Sequence, residues 1–170
     1  GVLSFASAPD YETKTSYTAI VSVTDGTNTS SQNITVNINN INEAPTFTSS
    51  ATFTADENQT AIGQVTATDA EGDSSITFSI SGSDININAS SGVLTFASAP
   101  DYETKTSYTA TVTASDGANS TTQNVTVNIN NLNDNSPTYT SSTTFTADEN
   151  QTAIGTVTAT DADGDSLTFS

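Results

Sequence analysis

The 170-residue sequence contains no cysteine, histidine, methionine or tryptophan. Without cysteine there are no disulfides, and zinc, copper, haem and iron–sulfur sites lose their customary ligands. With neither cysteine nor histidine, most nucleophile–base pairs used by enzymes are unavailable. Cations are scarce too: two Lys and Arg stand against 19 Asp and Glu, for a formal net charge of −17. Nucleic acid and anionic membrane surfaces both require a basic face, which this composition cannot supply. No apolar run is long enough to insert into a membrane, and no signal peptide is recognisable. Four prolines and nine glycines are too few for a low-complexity linker. Hydrophobic residues make up 33% of the chain, against a usual share of about 45–50%. Their regular placement nevertheless argues for a folded chain. Among metals, only a hard cation held by oxygens fits this side-chain inventory, meaning calcium or magnesium.

What the sequence has in abundance is repetition. Gly1–Asn40 recurs almost unchanged as Gly92–Asn131, an offset of 91 residues. TADENQTAIG occurs at Thr54–Gly63 and again at Thr146–Gly155, an offset of 92. The register returns to 91 at Thr77-Phe78-Ser79 and Thr168-Phe169-Ser170. Self-similarity of this kind marks a tandem array. The expected division is residues 1–44 as the second half of one unit, 45–136 as a complete unit and 137–170 as the first half of a third. Two readings of the halves stay open. The sequence is a window on a longer repetitive protein, or half-units of neighbouring chains complete one another in a head-to-tail filament.

Within the complete unit, period-2 alternation predicts strands near Thr52–Ala55, Ile62–Thr68, Ile76–Ile80, Ile85–Asn88, Val93–Ala97, Ser107–Ala114 and Gln123–Asn130. Val125, Val127 and Ile129 share one face of the last strand, with Asn124, Thr126, Asn128 and Asn130 on the other. Asp116-Gly117 between the last two strands is a hairpin signal. Seven short strands in about 90 residues, each with one apolar face, predict a two-sheet sandwich. No segment has helical spacing of apolar residues.

The acids recur with the repeat and gather at strand ends and in the links between units. In order they are Asp56-Glu57-Asn58, Asp101-Tyr102-Glu103, Asp116-Gly117, Asn131-Leu132-Asn133-Asp134-Asn135-Ser136-Pro137 and Asp161-Ala162-Asp163. This ordered set resembles the cadherin family along the whole chain. The resemblance implies all-β, tandem seven-stranded Greek-key β-sandwich repeats joined by calcium-binding linkers. It further implies about three calcium ions at each joint. At the second joint the ligands would be Glu57, Asp101 and Glu103 from one unit, Asn133, Asp134 and Asn135 from the linker, and Asp161 and Asp163 from the next unit. At the first joint they would be Asp10, Glu12, Asn42, Glu43, Asp69, Glu71 and Asp116. The linker Asn40-Ile41-Asn42-Glu43-Ala44-Pro45 departs from the family pattern by carrying Glu for Asp and by being one residue shorter. Asn40 and Asn131 stand where the family often has Asp. Charge arithmetic agrees with bound cations, since two unit charges 4 Å apart repel by about 4 kcal/mol at an effective dielectric near 20. Calcium, with 6–8 irregularly placed oxygens, suits these donors better than octahedral magnesium.

The resemblance implies a non-catalytic, extracellular adhesive or structural rod, part of a large bacterial surface adhesin or matrix protein. Its partners would be calcium, neighbouring repeats and other copies of itself, without nucleic acid or membrane insertion. The rival is a glycan-binding module of a polysaccharide-degrading enzyme, which would present a surface row of aromatics. An EF-hand reading of Asp161-Ala162-Asp163-Gly164-Asp165 fails, because Gly stands at position 4 rather than 6. In the copy starting at Asp69, position 12 is Ile80 rather than Glu.

Overall fold

A computed structural model describes residues 1–72 and 75–170. It is all strand and turn, and among the described residues no helix is long and apolar enough to cross a membrane. The strands are β1 (Ser16–Thr24), β2 (Thr29–Asn37), β3 (Thr46–Phe47), β4 (Thr52–Asp56), β5 (Ala61–Gln64), β6 (Ala67–Thr68), β7 (Thr77–Ile80), β8 (Ile85–Ile87), β9 (Val93–Phe96), β10 (Ser107–Ser115), β11 (Ser120–Asn130), β12 (Thr138–Tyr139) and β13 (Ala159–Thr160).

Strands β3 to β11 build a sandwich. One layer has the order β4-β11-β10-β7, and the other is made of β3-β6 and β5-β9-β8. The β10–β11 hairpin pairs from Ser107↔Asn128 to Ser115↔Ser120. Its turn forms because the Asp116 carboxylate accepts the N–H groups of Ala118 and Asn119, both at 2.6 Å, while Gly117 takes a φ of +100°. A short carboxylate bonding backbone two and three residues on is an Asx turn, and glycine tolerates the left-handed conformation. Strand β4 lies parallel to β11, from Thr52↔Thr126 to Asp56↔Asn130.

The expected strands are present with altered ends. The predicted first strand is preceded by an unpredicted segment, β3, which sits in the opposite layer and bonds antiparallel to β6. The predicted Ile62–Thr68 strand is two pieces, β5 and β6. Between them Val65 donates its N–H to Gly92 O, and Thr66 O accepts from Thr48 and Ser49. Gly92 permits that approach. Its φ is +71°, and a Cβ there would collide with the Val65 carbonyl oxygen.

The core is Ala55, Val65, Phe78, Ile85, Leu94, Phe96, Val112, Ala114, Val125, Val127 and Ile129, all buried. The alternation read along the last two strands places these side chains between the layers, as period 2 requires. Their repeat counterparts in the first and third segments are exposed or at most half-buried. Leu3, the repeat counterpart of Leu94, is 65% exposed, whereas Leu94 is fully buried. Residues 16–37 form only the β1–β2 hairpin, and residues 137–170 only the short β12–β13 pair. An apolar side chain gains from folding only when a second layer covers it. Leu94→Ala is therefore expected to cost about 2–5 kcal/mol. Denaturant unfolding checks this, and a loss under about 0.5 kcal/mol would contradict the assignment of the core.

Candidate metal centres

The lower end of the sandwich is organised around Glu57, whose side chain is 2% exposed. It follows the last residue of β4. Its Oε2 accepts Tyr102 N–H at 2.8 Å and its Oε1 accepts Leu132 N–H at 2.7 Å. One buried carboxylate thus ties together the end of β4, the Asp101-Tyr102-Glu103 turn and the linker. Two N–H donors offset part of the desolvation cost of a buried acid. The Asp101 turn is held by its own carboxylate, which accepts Thr104 N–H at 3.2 Å and Thr104 Oγ1 at 2.9 Å.

Around this anchor, three groups of acids approach within 4.8 Å of one another: Glu57, Asp101 and Glu103; Glu103, Asp134 and Asp163; Asp161, Asp163 and Asp165. Glu103 and Asp163 belong to two groups each, so the carboxylates form a continuous string from one unit through the linker to the next. Asp163 accepts Asp134 N–H at 3.1 Å and Asn135 N–H at 2.8 Å, with Asn135 Nδ2 at 2.9 Å. The Asn135 amide is the main reason its carboxyl sits below the usual range. Desolvation raises Glu103, and the charges of Glu57 and Asp163 add to the effect.

The first joint is built differently. Glu12, Glu43 and Glu71 come within 4.8 Å of one another. Glu71 accepts Glu43 N–H at 3.2 Å, and Asn42 Nδ2 bonds Asp116 Oδ2 at 2.6 Å. Asn119 Nδ2 reaches Asn42 O at 2.7 Å. Asp10 is spent locally, accepting Glu12 N–H at 3.0 Å and Thr13 Oγ1 at 2.9 Å. Among the described residues, Asp10, Asp69 and Asp116 join no group of three acids.

Two observations test whether these residues fit a cation. First, Asp69 Oδ2 and Glu71 Oε2 are buried without any hydrogen-bond partner among the described residues. A buried charged oxygen without a partner is costly. Second, no lysine side chain neutralises the strings. Lys105 pairs with Asp84 at 2.7 Å and lies over Tyr108, and Lys14 lies over Tyr17. Asparagine amides take the missing positive role. Asn58 Nδ2 donates to Asp134, Asn133 Nδ2 to Asp165, and Asn135 Nδ2 to Glu103, Asp134 and Asp163. Half a turn of each amide would offer its oxygen to an ion instead. The donors are all hard oxygens, so the set fits calcium.

Sequence reasoning left three contributors out of the ligand set: Asp165, Asn58 and Asn119. Asp165 had a signal, as the third acid of the Asp161-to-Asp165 loop. Asn58 had one in its place beside Glu57. Asn119 had none, because its contact with the linker spans 77 residues.

The sequence profile described as "Cadherin domain" matches residues 50–130. Over those residues the chain is similar to a cadherin domain. Cadherin structures also resemble the longer chain. Human protocadherin-24 EC1-2 gives a TM-score of 0.63 at 24% identity, over 71% of this chain and 61% of that one. The protocadherin gammaB7 EC3-6 cis-dimer structure gives 0.64 at 28% identity, over 92% and 44%. Mouse cadherin-23 EC22-24 gives 0.62 at 23% identity, over 92% and 56%. The chain thus spans roughly half the length of these cadherins. No curated protein matches the sequence.

The Glu12, Glu43 and Glu71 group also predicts a titration. In metal-free protein the Glu43 carboxyl is raised from 4.5 to about 7, chiefly by its hydrogen bond with Glu71. Glu71 is lowered to about 2, mainly by the neighbouring Asp69 and Glu43 side chains. Glu43 therefore favours the folded joint below pH 4.5, and that contribution is lost as pH rises through about 7. Glu71 contributes above 4.5 and loses its contribution as pH falls toward 2. Carboxyl NMR in chelator should show Glu43 titrating near neutrality, and Glu71→Gln should return it to the ordinary range. A Glu43 that titrates normally in the unaltered protein would rule out this interaction.

Proposed function

We propose that the chain is part of an extracellular, calcium-stiffened rod of cadherin repeats, with a mechanical and spatial role rather than a catalytic one. The units are residues 45–136, flanked by 1–44 and 137–170, and each junction is a metal-binding joint. The observation that carries this reading is the Glu103, Asp134 and Asp163 group. Its three acids come from one unit, the linker and the next unit, and no lysine lies among them.

In the proposed joint, Glu57, Asp101 and Glu103 supply carboxylates from above. Asn133, Asp134 and Asn135 supply linker oxygens, and Asp161 and Asp163 supply them from below. About three divalent ions balance six carboxylates, consistent with the family pattern. At the other joint Asp10, Glu12, Asn42, Glu43, Asp69, Glu71 and Asp116 act in the same way. Bound calcium supplies the positive charge that holds neighbouring repeats at a set angle. The chain's own part is to position the oxygens: Glu57 locks the linker by two backbone bonds, and Asp163 receives the Asp134 and Asn135 amides. A large bacterial surface adhesin or matrix protein is the setting this reading favours.

A ligand that binds only the folded state stabilises it. Excess chelator should thus lower the melting temperature and broaden the small-angle scattering profile toward a flexible chain. Unchanged melting and scattering would defeat the calcium-rod reading. Asp134→Ala should weaken the second joint while leaving the residue 45–136 sandwich folded, with near-native circular dichroism.

A further inference from the structure

Every described acidic cluster belongs to the joints already discussed. The turn between β10 and β11 holds a separate feature. Asn119 closes this turn with its backbone. Its N–H donates to Asp116 Oδ1 at 2.6 Å, and its carbonyl accepts Asp116 N–H at 3.3 Å and Ser115 Oγ at 2.9 Å. The side chain takes no part in the turn and faces the first linker instead. Its Nδ2 donates to Asn42 O at 2.7 Å and to Glu43 O at 3.3 Å. An amide nitrogen carries two N–H groups, and here two consecutive linker carbonyls receive them.

We propose that Asn119 is a positioning residue that clasps the preceding linker to the complete unit, and that it does so without metal. This rests on the rod reading only in treating residues 40–45 as a joint. The repeat supplies an internal comparison. In the β1–β2 turn Asn28 N–H donates to Asp25 Oδ1 at 2.7 Å, and Asn28 O accepts Asp25 N–H at 3.2 Å and Thr24 Oγ1 at 2.8 Å. There the amide only reaches back to Asp25 Oδ2 at 3.5 Å, too long for a strong bond. The same turn thus forms without help from this side chain, which leaves the Asn119 amide to serve the linker.

The other polar contacts of this linker involve charge. Asn42 Nδ2 bonds Asp116 Oδ2 at 2.6 Å, and Glu43 N–H bonds Glu71 Oε1 at 3.2 Å. Asp116 and Glu71 stand in the proposed ligand set, so a bound cation competes for both carboxylates. The bonds from Asn119 join a neutral donor to backbone acceptors, and neither pH nor chelator alters the charge of either group. Pro45 is fully buried and fixes the end of the linker by apolar contact. At the opposite end of the same unit, Glu57 takes the N–H of Leu132 in the second linker. Leu132 is the second residue of its linker, and Asn42 is the third of the matching pattern Asn40-Ile41-Asn42. With both grips in place, a metal-free joint turns about the torsions between the second and third linker positions.

Backbone NMR relaxation of the full chain in excess chelator tests the clasp. The order parameters of Asn42, Glu43 and Ala44 should match those of β10 and β11, at the value of about 0.85 typical of rigid backbone. Asn119→Ala should lower them toward the flexible range, about 0.6, while the melting temperature of the sandwich stays unchanged. Asn119→Ser, too short to reach the linker, should do the same, and Asn28→Ala should leave them as they are. Linker order parameters already below about 0.6 in the unaltered chain overturn the clasp. So do Asn119 variants that leave the linker ordered, or an equal loss from Asn28→Ala. Loss of the sandwich in both Asn119 variants also overturns it, because the side chain would then be building the turn. If the Asn119 variants release the linker while melting and scattering ignore chelator, the clasp stands and the calcium rod falls. If melting and scattering follow calcium but the unaltered linker is mobile in chelator, the clasp falls and the rod stands.

Discussion

Crowded negative charge is the constraint on which this molecule turns. Acids from two units and a linker are brought within reach of one another, and the two lysines are engaged elsewhere with Asp84, Tyr108 and Tyr17. The chain's own side chains answer with weak devices. Asparagine amides turn their N–H groups toward the carboxylates, and the neighbouring Glu71 side chain pushes the Glu43 carboxyl above the ordinary range. These are signs of a deficit of positive charge. A divalent cation removes that deficit at each carboxylate it touches, whereas an amide offers only a partial charge.

The sandwich serves this arrangement by placing loops, not by contributing its core. Strand β4 ends beside Glu57, the hairpin turn carries Asp116, and β11 runs on into the linker. Each acid is set at a strand end whose position is fixed by buried residues a few steps away, such as Ala55 before Glu57 and Ile129 before Asn131. Core packing and joint chemistry are thus adjacent along the chain yet separate in cause. The first depends on apolar area removed from water, the second on charge.

The 91-residue period, the alternation of Val125, Val127 and Ile129, and the order of the acidic motifs follow from local rules: side chains alternate along a strand, and short acids favour turns. The all-β sandwich and the resemblance to cadherins are therefore legible in the order of residues. Other features need three dimensions. The switch of β3 to the opposite layer, the break between β5 and β6 at Val65, the double backbone grip of Glu57, and the roles of Asp165 and Asn119 all depend on partners 27 to 77 residues away or on a change of sheet. Residue order alone says which side chains are apolar, which are acidic and how often they recur. Which of them meet is a matter for the folded chain, because burial and charge repulsion are properties of neighbours in space.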